Sequence, residues 1–205
     1  MENPRTYWDN RYTEATYTYG TLPNQFFKQQ LDLIPTPGRL LLLAEGEGRN
    51  AVYAAQKGWQ VTAVDFSEKG RTKALALAAE SGVHIEYQLA NIQAYDIQQN
   101  GPWDAIGLIF AHFHSDIRGT IHKKCAKALR PGGRLILEAF NRKQIGRLSG
   151  GPKDMDMLYA KILLEDDFSD LEPLMAYELT MYLNEGNGHV GLAELVRYVA
   201  EKRLP

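Results

Sequence analysis

Four leucines lead directly into a turn with two glycines and then into an alanine-rich segment: Leu40-Leu41-Leu42-Leu43-Ala44-Glu45-Gly46-Glu47-Gly48-Arg49-Asn50-Ala51. The leucines predict a buried strand, and the residues from Asn50 to Lys57 predict a helix that follows the turn. Because glycine has no Cβ, a turn of this kind lets the backbone pass close to a ligand. The segment therefore predicts a binding site at the end of the first strand.

A second predicted strand, Gln60 to Val64, is followed by a single acid, Asp65. Asp65 lies 19 residues after Gly46, close to the ~20 residues expected when an acid at the tip of the second strand binds a ribose diol. Asp65 can also be interpreted as a cap of the helix that begins near Glu68. Turn and acid together predict a cofactor that contains adenosine, and they leave open which one.

The rest of the chain predicts the fold class. Helices are expected at 68–80, with Ser67 as N-cap, and at 116–129, and strands at 83–89, 103–110 and 134–140. This alternation predicts a parallel sheet with helices on both faces. The last third has helical character at 154–164, and then two alternating stretches, 176–184 and 189–200, flank a glycine turn and predict a hairpin. We therefore expect an α/β fold with a doubly wound seven-stranded sheet, mostly parallel, that ends in an antiparallel hairpin.

Composition limits the classes of function. The 205 residues are 44% hydrophobic and 23% charged with a net charge of −2, which is typical of one globular domain without a basic surface for nucleic acid. The single cysteine, Cys125, excludes an internal disulfide. Met1 to Arg5 lack the apolar core of a signal peptide, and no stretch approaches the ~18 apolar residues of a membrane span. We expect a cytoplasmic protein that binds neither nucleic acid nor membrane, with an oligomeric state that the sequence leaves unknown.

The chain resembles the class I S-adenosylmethionine-dependent methyltransferases over nearly its whole length. The resemblance lies in the glycine turn, in Asp65, in Leu129-Arg130-Pro131-Gly132-Gly133 and in the closing hairpin. Three segments resemble more narrowly the small bacterial tellurite-resistance and thiopurine-type methyltransferases: Glu45 to Ala51, Trp8 to Tyr12 with Tyr19-Gly20, and Glu185 to Gly191. The resemblance implies a Rossmann-like methyltransferase fold in one domain, 1–205, with residues 1–30 as an N-terminal lid.

The resemblance also implies the cofactor, S-adenosylmethionine, and a small-molecule methyl acceptor such as a thiol or a chalcogen oxyanion. The residues that it implies for the cofactor site are Tyr19, Glu45, Gly46, Gly48, Arg49, Asn50, Asp65, Phe66, Ser67, Asn91, Ile92 and Ala111. Within this set, Phe66 and Ile92 are expected either to enclose adenine or to close the core. Arg49 opens a helix, where its charge opposes the helix dipole, so it is expected to meet an anionic partner or solvent.

The chain departs from the family pattern at three positions. Leu42 and Ala44 stand where the usual turn has an acid and its first glycine, so Glu45 is the candidate to replace part of the acid's role. Asn91 stands where relatives often have an acid that holds the adenine amino group, and its carbonyl oxygen can still accept that hydrogen bond.

Two histidines are the candidates for contact with the substrate. His112 follows the fourth strand, where doubly wound sheets place their ligands, and His189 lies in the hairpin; both are assigned catalytic roles. His112 and His114 have no compact third ligand, so no metal site is expected. The aromatic N-terminus suggests a lid over the cofactor's sulfonium through Tyr7, Trp8 and Tyr19, because aromatic faces attract cations. Packing against the sheet is the other interpretation of these rings.

Three alternatives remain open from the sequence. Gly46 to Ala51 also fit G-x-G-x-x-A, the turn of NAD-dependent dehydrogenases. The replacements at Leu42 and Ala44 allow a protein that binds the cofactor without catalysis. A methyltransferase that acts on protein or RNA is the third alternative, although we expect no added recognition domain in a chain of this length.

Overall fold

The leucine run forms a central strand of the sheet. A computed structural model describes residues 4–204, so residues 1–3 of the predicted lid lie outside the described part. The strands are β1 (Arg39–Leu43), β2 (Gln60–Asp65), β3 (Glu86–Leu89), β4 (Trp103–Ile109), β5 (Leu129–Phe140), β6 (Leu171–Glu185) and β7 (His189–Lys202). The helices are α1 (Pro4–Arg11), α2 (Gln25–Asp32), α3 (Arg49–Gln56), α4 (Glu68–Glu80), α5 (Ser115–Ala128) and α6 (Lys161–Asp167).

The seven strands form one mixed sheet in the order β3-β2-β1-β4-β5-β7-β6. The first five strands are parallel, and β7 inserts antiparallel between β5 and β6. The predicted fold class is therefore confirmed. The strand order reverses between β1 and β4, and in open α/β sheets ligands bind outside the carboxyl ends of the strands at such a switch point.

The apolar strand β1 is explained by helices that cover both faces of the sheet. Leu40 and Leu42 point into a core formed with α2, α3 and α4. Leu41 and Leu43 point into a second core on the opposite face, formed with α5 and α6. Since successive side chains of a strand face opposite sides, only a strand buried on both sides requires four leucines in a row. From residue 4 to residue 204, no helix is long and apolar enough to cross a membrane.

The boundaries of β3 and β5 differ from the predicted ones. β3 begins at Glu86 instead of residue 83. β5 begins at Leu129, five residues before the predicted start, because Leu129 already pairs with Trp103. The register then shifts before Ala105 pairs with Arg134, so the Pro-Gly-Gly segment is an irregular part of the strand.

The helical segment expected at 154–164 is divided in two. A short 3₁₀ turn, Met155–Met157, precedes α6. Tyr159 interrupts the helix because its N–H donates to the carbonyl of Phe140 and its own carbonyl accepts from the N–H of Arg142. The chain between the two helical pieces is thus extended and attached to the end of β5.

Candidate functional site

The turn after β1 has the backbone that its glycines suggest. Gly46 and Gly48 have φ angles of +59° and +86°. Ala44, at the position where the family has a glycine, also has a positive φ of +54°. This left-handed conformation is costly for a residue with a Cβ, so the turn keeps its shape although the glycine has been replaced.

The two glycines of the turn face different neighbours. A Cβ on Gly48 would lie 2.5 Å from the Cβ of Ala74, so Gly48 allows α3 to pack closely against α4. A Cβ on Gly46 would lie 2.6 Å from the hydroxyl of Tyr12. Gly46 therefore leaves room for the hydroxyl of Tyr12, whereas helix packing accounts for Gly48.

Asp65 lies at the end of β2, directly beside the turn. Its Oδ2 accepts a hydrogen bond from the N–H of Gly46 at 3.0 Å, and its Oδ1 accepts one from the N–H of Ser67 at 2.9 Å. Burial nevertheless raises the pKa of this carboxyl above its usual value. A carboxylate has about four acceptor positions, so Asp65 retains capacity for further donors such as the two hydroxyls of a ribose.

Glu45 is directed at the first turn of α3. Its Oε1 accepts hydrogen bonds from the N–H groups of Asn50 and Ala51 at 2.9 and 2.8 Å. Burial raises its pKa to about 7. The N–H groups at a helix N-terminus lack partners within the helix, and Glu45 satisfies two of them, so this arrangement does not support the suggestion that it replaces the missing acid of the family.

The remaining residues of the predicted cofactor site differ in exposure and in partners. Ile92 is 4% exposed and belongs to the core. Asn91 is exposed, and its side-chain oxygen accepts from the N–H of Gln93. The carbonyl of Ala111 accepts from the hydroxyl of Tyr159 at 3.0 Å. Ile92 and Ala111 thus have structural contacts of their own, Asn91 lies near the surface, and Phe66 is partly exposed after β2.

The predicted N-cap of α4 is confirmed, and it also contacts the N-terminal segment. The Oγ of Ser67 accepts from the N–H of Gly70 at 3.0 Å and donates to Asp9 at 2.6 Å. The N–H of Thr18 donates to Glu47 of the turn at 2.8 Å. α1 is thus held to the start of α4, and the segment between α1 and α2 is held to the glycine turn through Thr18. Residues 4–24 together form a covering segment over the turn.

Aromatic rings form the inner face of this covering segment. Tyr12 is 5% exposed, and its hydroxyl lies above Gly46. Trp8 stacks on Tyr12 with 5.5 Å between the ring centroids, whereas Tyr7 is 46% exposed. Tyr12, which the sequence did not single out, therefore covers the turn at Gly46, and the hydroxyl of Tyr87 donates to the carbonyl of Gly46 at 2.6 Å.

The structure does not support a catalytic role for His112. Its Nδ1 donates to the carbonyl of Met157 at 2.7 Å, and its Nε2 accepts from the N–H of Phe140 at 3.3 Å. Both nitrogens are thus occupied by the backbone, and burial lowers the pKa of the ring to about 4. His112 attaches the segment before α6 to the end of β5. No cluster of three or more metal-ligating side chains was found within residues 4–204.

His189 lies under the covering segment, close to the end of β4. Its ring centroid is 4.4 Å from that of Tyr19 and 4.4 Å from that of Phe110. Its Nδ1 is 3.1 Å from Oε2 of Glu185. Phe110 has a φ of +54°, an unusual conformation for an aromatic residue and one often found at functional sites.

Arg49 connects the glycine turn with the hairpin. Its Nη2 donates to Oε2 of Glu185 at 3.0 Å, and its Nη1 donates to the carbonyl of Tyr19 at 3.3 Å. The anionic partner expected for Arg49 is therefore a residue of the chain itself. The hydroxyl of Tyr19 accepts from Arg11 at 3.0 Å, which ties α1 to the same group of residues.

Sequence reasoning missed four residues of this site: Asn24, Tyr12, Phe110 and Glu185. Only Glu185 had a usable signal, since it stands four residues before His189 at the hairpin turn. The others come from distant parts of the chain and meet only in the folded protein. Asn24, for example, is the N-cap of α2, and its amide donates to both Glu138 and Glu185.

Comparison with known proteins agrees with the fold. Residues 40–133 match the family described as a methyltransferase domain. The chain is 36% identical to a ubiquinone biosynthesis O-methyltransferase of Idiomarina loihiensis over 97 residues. The aligned residues are 47% of this chain and 40% of that protein. The chain therefore spans less than half the length of this curated relative.

Among the solved structures that match, two illustrate a likeness over most of the chain. The structure of TehB from Haemophilus influenzae has a TM-score of 0.72 at 20% identity. The superposition covers 97% of this chain and 67% of the TehB chain. The Burkholderia thailandensis 1,6-didemethyltoxoflavin-N1-methyltransferase, with bound 1,6-didemethyltoxoflavin and S-adenosylhomocysteine, has a TM-score of 0.63 at 21% identity and covers 88% of this chain and 79% of its own.

In its fold the chain resembles the class I S-adenosylmethionine-dependent methyltransferases, and the predicted resemblance is confirmed. The match to the methyltransferase domain family is limited to residues 40–133, just under half of the chain. The cofactor that this family and fold indicate is S-adenosylmethionine. A dehydrogenase is not favoured, although the glycine turn alone allowed it.

Proposed function

We propose that this protein transfers a methyl group from S-adenosylmethionine to a small-molecule nucleophile. The observation that carries the proposal is the hydrogen bond between Gly46 and Asp65. It places a turn glycine and a buried carboxylate side by side at the switch point of the sheet, where a nucleoside is expected to bind. Asp65 would hold the ribose, and the covering segment would keep water from the reacting atoms.

The residues present fit this cofactor in their chemistry. Asp65 has free acceptor capacity, Gly46 carries no side chain on the side that faces Tyr12, and aromatic rings suitable for a cation lie close by. The cofactor supplies a methyl group on a sulfonium with a good leaving group, so the contribution of the chain is alignment and exclusion of water. Tyr12 lies directly above Gly46, so we expect it to move or to become part of the site wall when the cofactor binds.

The chemical class of the acceptor is a finer proposal. A thiol or a chalcogen oxyanion is suggested by the resemblance to the tellurite-resistance group. An oxygen acceptor is suggested by the relative named as an O-methyltransferase. We expect the protein to act in the cytoplasm on a small molecule and not on nucleic acid, because its net charge of −2 gives no basic surface.

Titration calorimetry with S-adenosylmethionine, S-adenosylhomocysteine and NAD tests the proposal. The wild-type protein should bind the first two, and Asp65→Asn should weaken their binding about 10- to 100-fold, because it removes the charge that strengthens hydrogen bonds to the ribose. Asp116→Asn, a change at an exposed residue of α5, is the matched control and should bind as the wild type does. Thermal unfolding of both variants checks that the fold is retained.

Two results would count against the proposal. Binding of NAD without binding of S-adenosylmethionine would favour a dehydrogenase. Tight binding of S-adenosylmethionine without methylation of any thiol, phenol, selenite or tellurite in an assay with labelled methyl groups would favour a binding protein without catalysis.

A further inference from the structure

Glu185 receives three hydrogen-bond donors in the interior of the site. Arg49 and Nδ1 of His189 both approach its Oε2, at 3.0 and 3.1 Å, and the amide of Asn24 donates to its Oε1 at 3.0 Å. The side chain of Glu185 is only 14% exposed. A carboxylate with this many donors is strongly held in one orientation.

The donors decide the charge of Glu185. Burial alone would raise its pKa, but the hydrogen bond from His189 and the charge of Arg49 outweigh burial and lower the pKa to about 2. Glu185 is therefore ionised at neutral pH and can only accept hydrogen bonds. Its contact with His189 consequently requires the proton of the neutral imidazole to be on Nδ1.

This tautomer leaves Nε2 of His189 as a proton acceptor. Within residues 4–204 no hydrogen bond engages Nε2 of His189, whereas both nitrogens of His112 are bonded to the backbone. The rings of Tyr19, Phe110 and Phe140 surround His189, with centroids 4.4, 4.4 and 5.2 Å away. A nitrogen base thus lies among flat aromatic surfaces, and it shares the carboxylate of Glu185 with Arg49, the first residue of α3.

We propose that His189 is the general base for a hydroxyl on an aromatic ring, and that Glu185 is the positioning residue that fixes its tautomer. The proposal rests on the proposed function and names its acceptor class. As the acceptor oxygen bonds to the methyl carbon, its O–H proton moves to Nε2, and the methyl–sulfur bond breaks with its electron pair left on sulfur. His189 then releases the proton to solvent.

The chemical class of the acceptor follows from which acceptors must lose a proton to a base. A phenol ionises near pH 10 and is largely protonated at neutral pH, so a base that removes its proton accelerates the reaction. A chalcogen oxyanion arrives deprotonated and gains nothing from His189. The surrounding rings favour a planar acceptor, since aromatic rings pack well on one another.

The first test compares kinetics of the full chain with labelled S-adenosylmethionine and a panel of simple phenols, thiols, selenite and tellurite. The wild type should methylate a phenol. His189→Gln should lower kcat on that phenol by about 10²- to 10⁴-fold with a much smaller change in KM, and Glu185→Gln should lower kcat less. His84→Gln, a change at an exposed histidine, should leave kcat unchanged.

The pH dependence of activity tests whether Glu185 positions His189 or only supports the fold. The charged and titratable groups that face His189 are Glu185, Arg49, Arg11, Tyr19 and His112. Burial lowers the pKa of His189 below its usual value, against the attraction of Glu185. Activity should therefore rise with pH along a limb centred below about 6.5, and Glu185→Gln should move that limb to still lower pH because it removes the negative charge.

Nitrogen NMR of labelled histidine gives a readout that does not depend on activity. The wild type should show His189 protonated on Nδ1 at neutral pH, and Glu185→Gln should lose this preference. Protonation on Nε2 in the wild type would overturn the proposal. So would bound cofactor without methylation of any phenol, or a His189→Gln variant within about threefold of wild-type kcat. Failure to bind S-adenosylmethionine at all would instead overturn the proposed function.

Discussion

Individual residues of the site show how the same chemical group takes different roles in different surroundings. Glu45 and Glu185 are both enclosed carboxylates, yet burial raises the pKa of Glu45 to about 7 and donors lower that of Glu185 to about 2. Glu45 is bonded to a side-chain amide and to backbone N–H groups, whereas Glu185 has a guanidinium and an imidazole as partners. The charge of Arg49 lowers the pKa of both carboxyls, whereas the hydrogen bonds from His189 and Arg49 act on Glu185 alone.

Glu45→Gln should change the pH dependence of stability. The folded-state pKa of Glu45 lies above its unfolded value of about 4.5. Its contribution to the free energy of unfolding is therefore fully present below pH 4.5 and is lost as pH rises through about 7. Glutamine keeps an acceptor oxygen without the charge. Urea unfolding should show the variant more stable than wild type by about 1–3 kcal/mol at pH 8, with the difference shrinking at pH 5.

The control for this measurement is Glu80→Gln at the exposed end of α4. Its effect should stay within about 0.5 kcal/mol at both pH values. A Glu45→Gln variant whose stability relative to wild type is the same at pH 5 and pH 8 would contradict the assigned role of Glu45.

At the scale of elements, the site is assembled between α1, the glycine turn and the β6–β7 hairpin. Asp9 of α1 accepts from Ser67 and from the N–H of Lys69. The carbonyl of Thr18 accepts from the N–H of Gly188 in the hairpin turn at 2.8 Å. Few apolar side chains of α1 are buried, so these polar contacts determine where the covering segment lies.

Asp9→Ala should loosen this segment while the rest of the fold is retained. Removal of the carboxylate deletes both hydrogen bonds to the start of α4, and surface contacts of this kind contribute about 1 kcal/mol or less each. We expect faster amide exchange in residues 4–20 and faster dissociation of S-adenosylmethionine, measured by hydrogen exchange and stopped-flow fluorescence. Glu14→Ala, at an exposed residue of the same segment, should leave both rates unchanged; equal effects of the two changes would contradict the assignment.

At the scale of the whole molecule, the stability of the sheet face covered by α5 and α6 depends on a buried polar contact. Asp167 of α6 accepts from Nδ1 of His122 at 2.8 Å and from Arg118 at 2.7 Å, both on α5. His122 is fully buried, and its Nε2 has no partner within the described residues. This contact joins two helices that pack on the same core.

Asp167→Asn should destabilise the protein by about 2–4 kcal/mol, because it leaves Arg118 without its buried countercharge. Denaturant unfolding monitored by circular dichroism measures the loss. The neighbouring change Asp166→Asn is at an exposed position and should cost about 0.5 kcal/mol or less. Equal midpoints for the two variants would show that the contact between α5 and α6 contributes little.

The sequence by itself determined the fold class and the order of elements, and it predicted a cofactor site between Gly46 and Asp65. These depend on local signals: apolar strands, helix caps such as Ser67, and the spacing from turn to acid. Only the tertiary structure decided that His112 is bonded to the backbone, that Glu45 satisfies a helix end and that Glu185 holds His189. The physical reason is that hydrogen-bond partners and burial come from residues far apart in the chain, and side-chain direction cannot be obtained from spacing along one strand or turn.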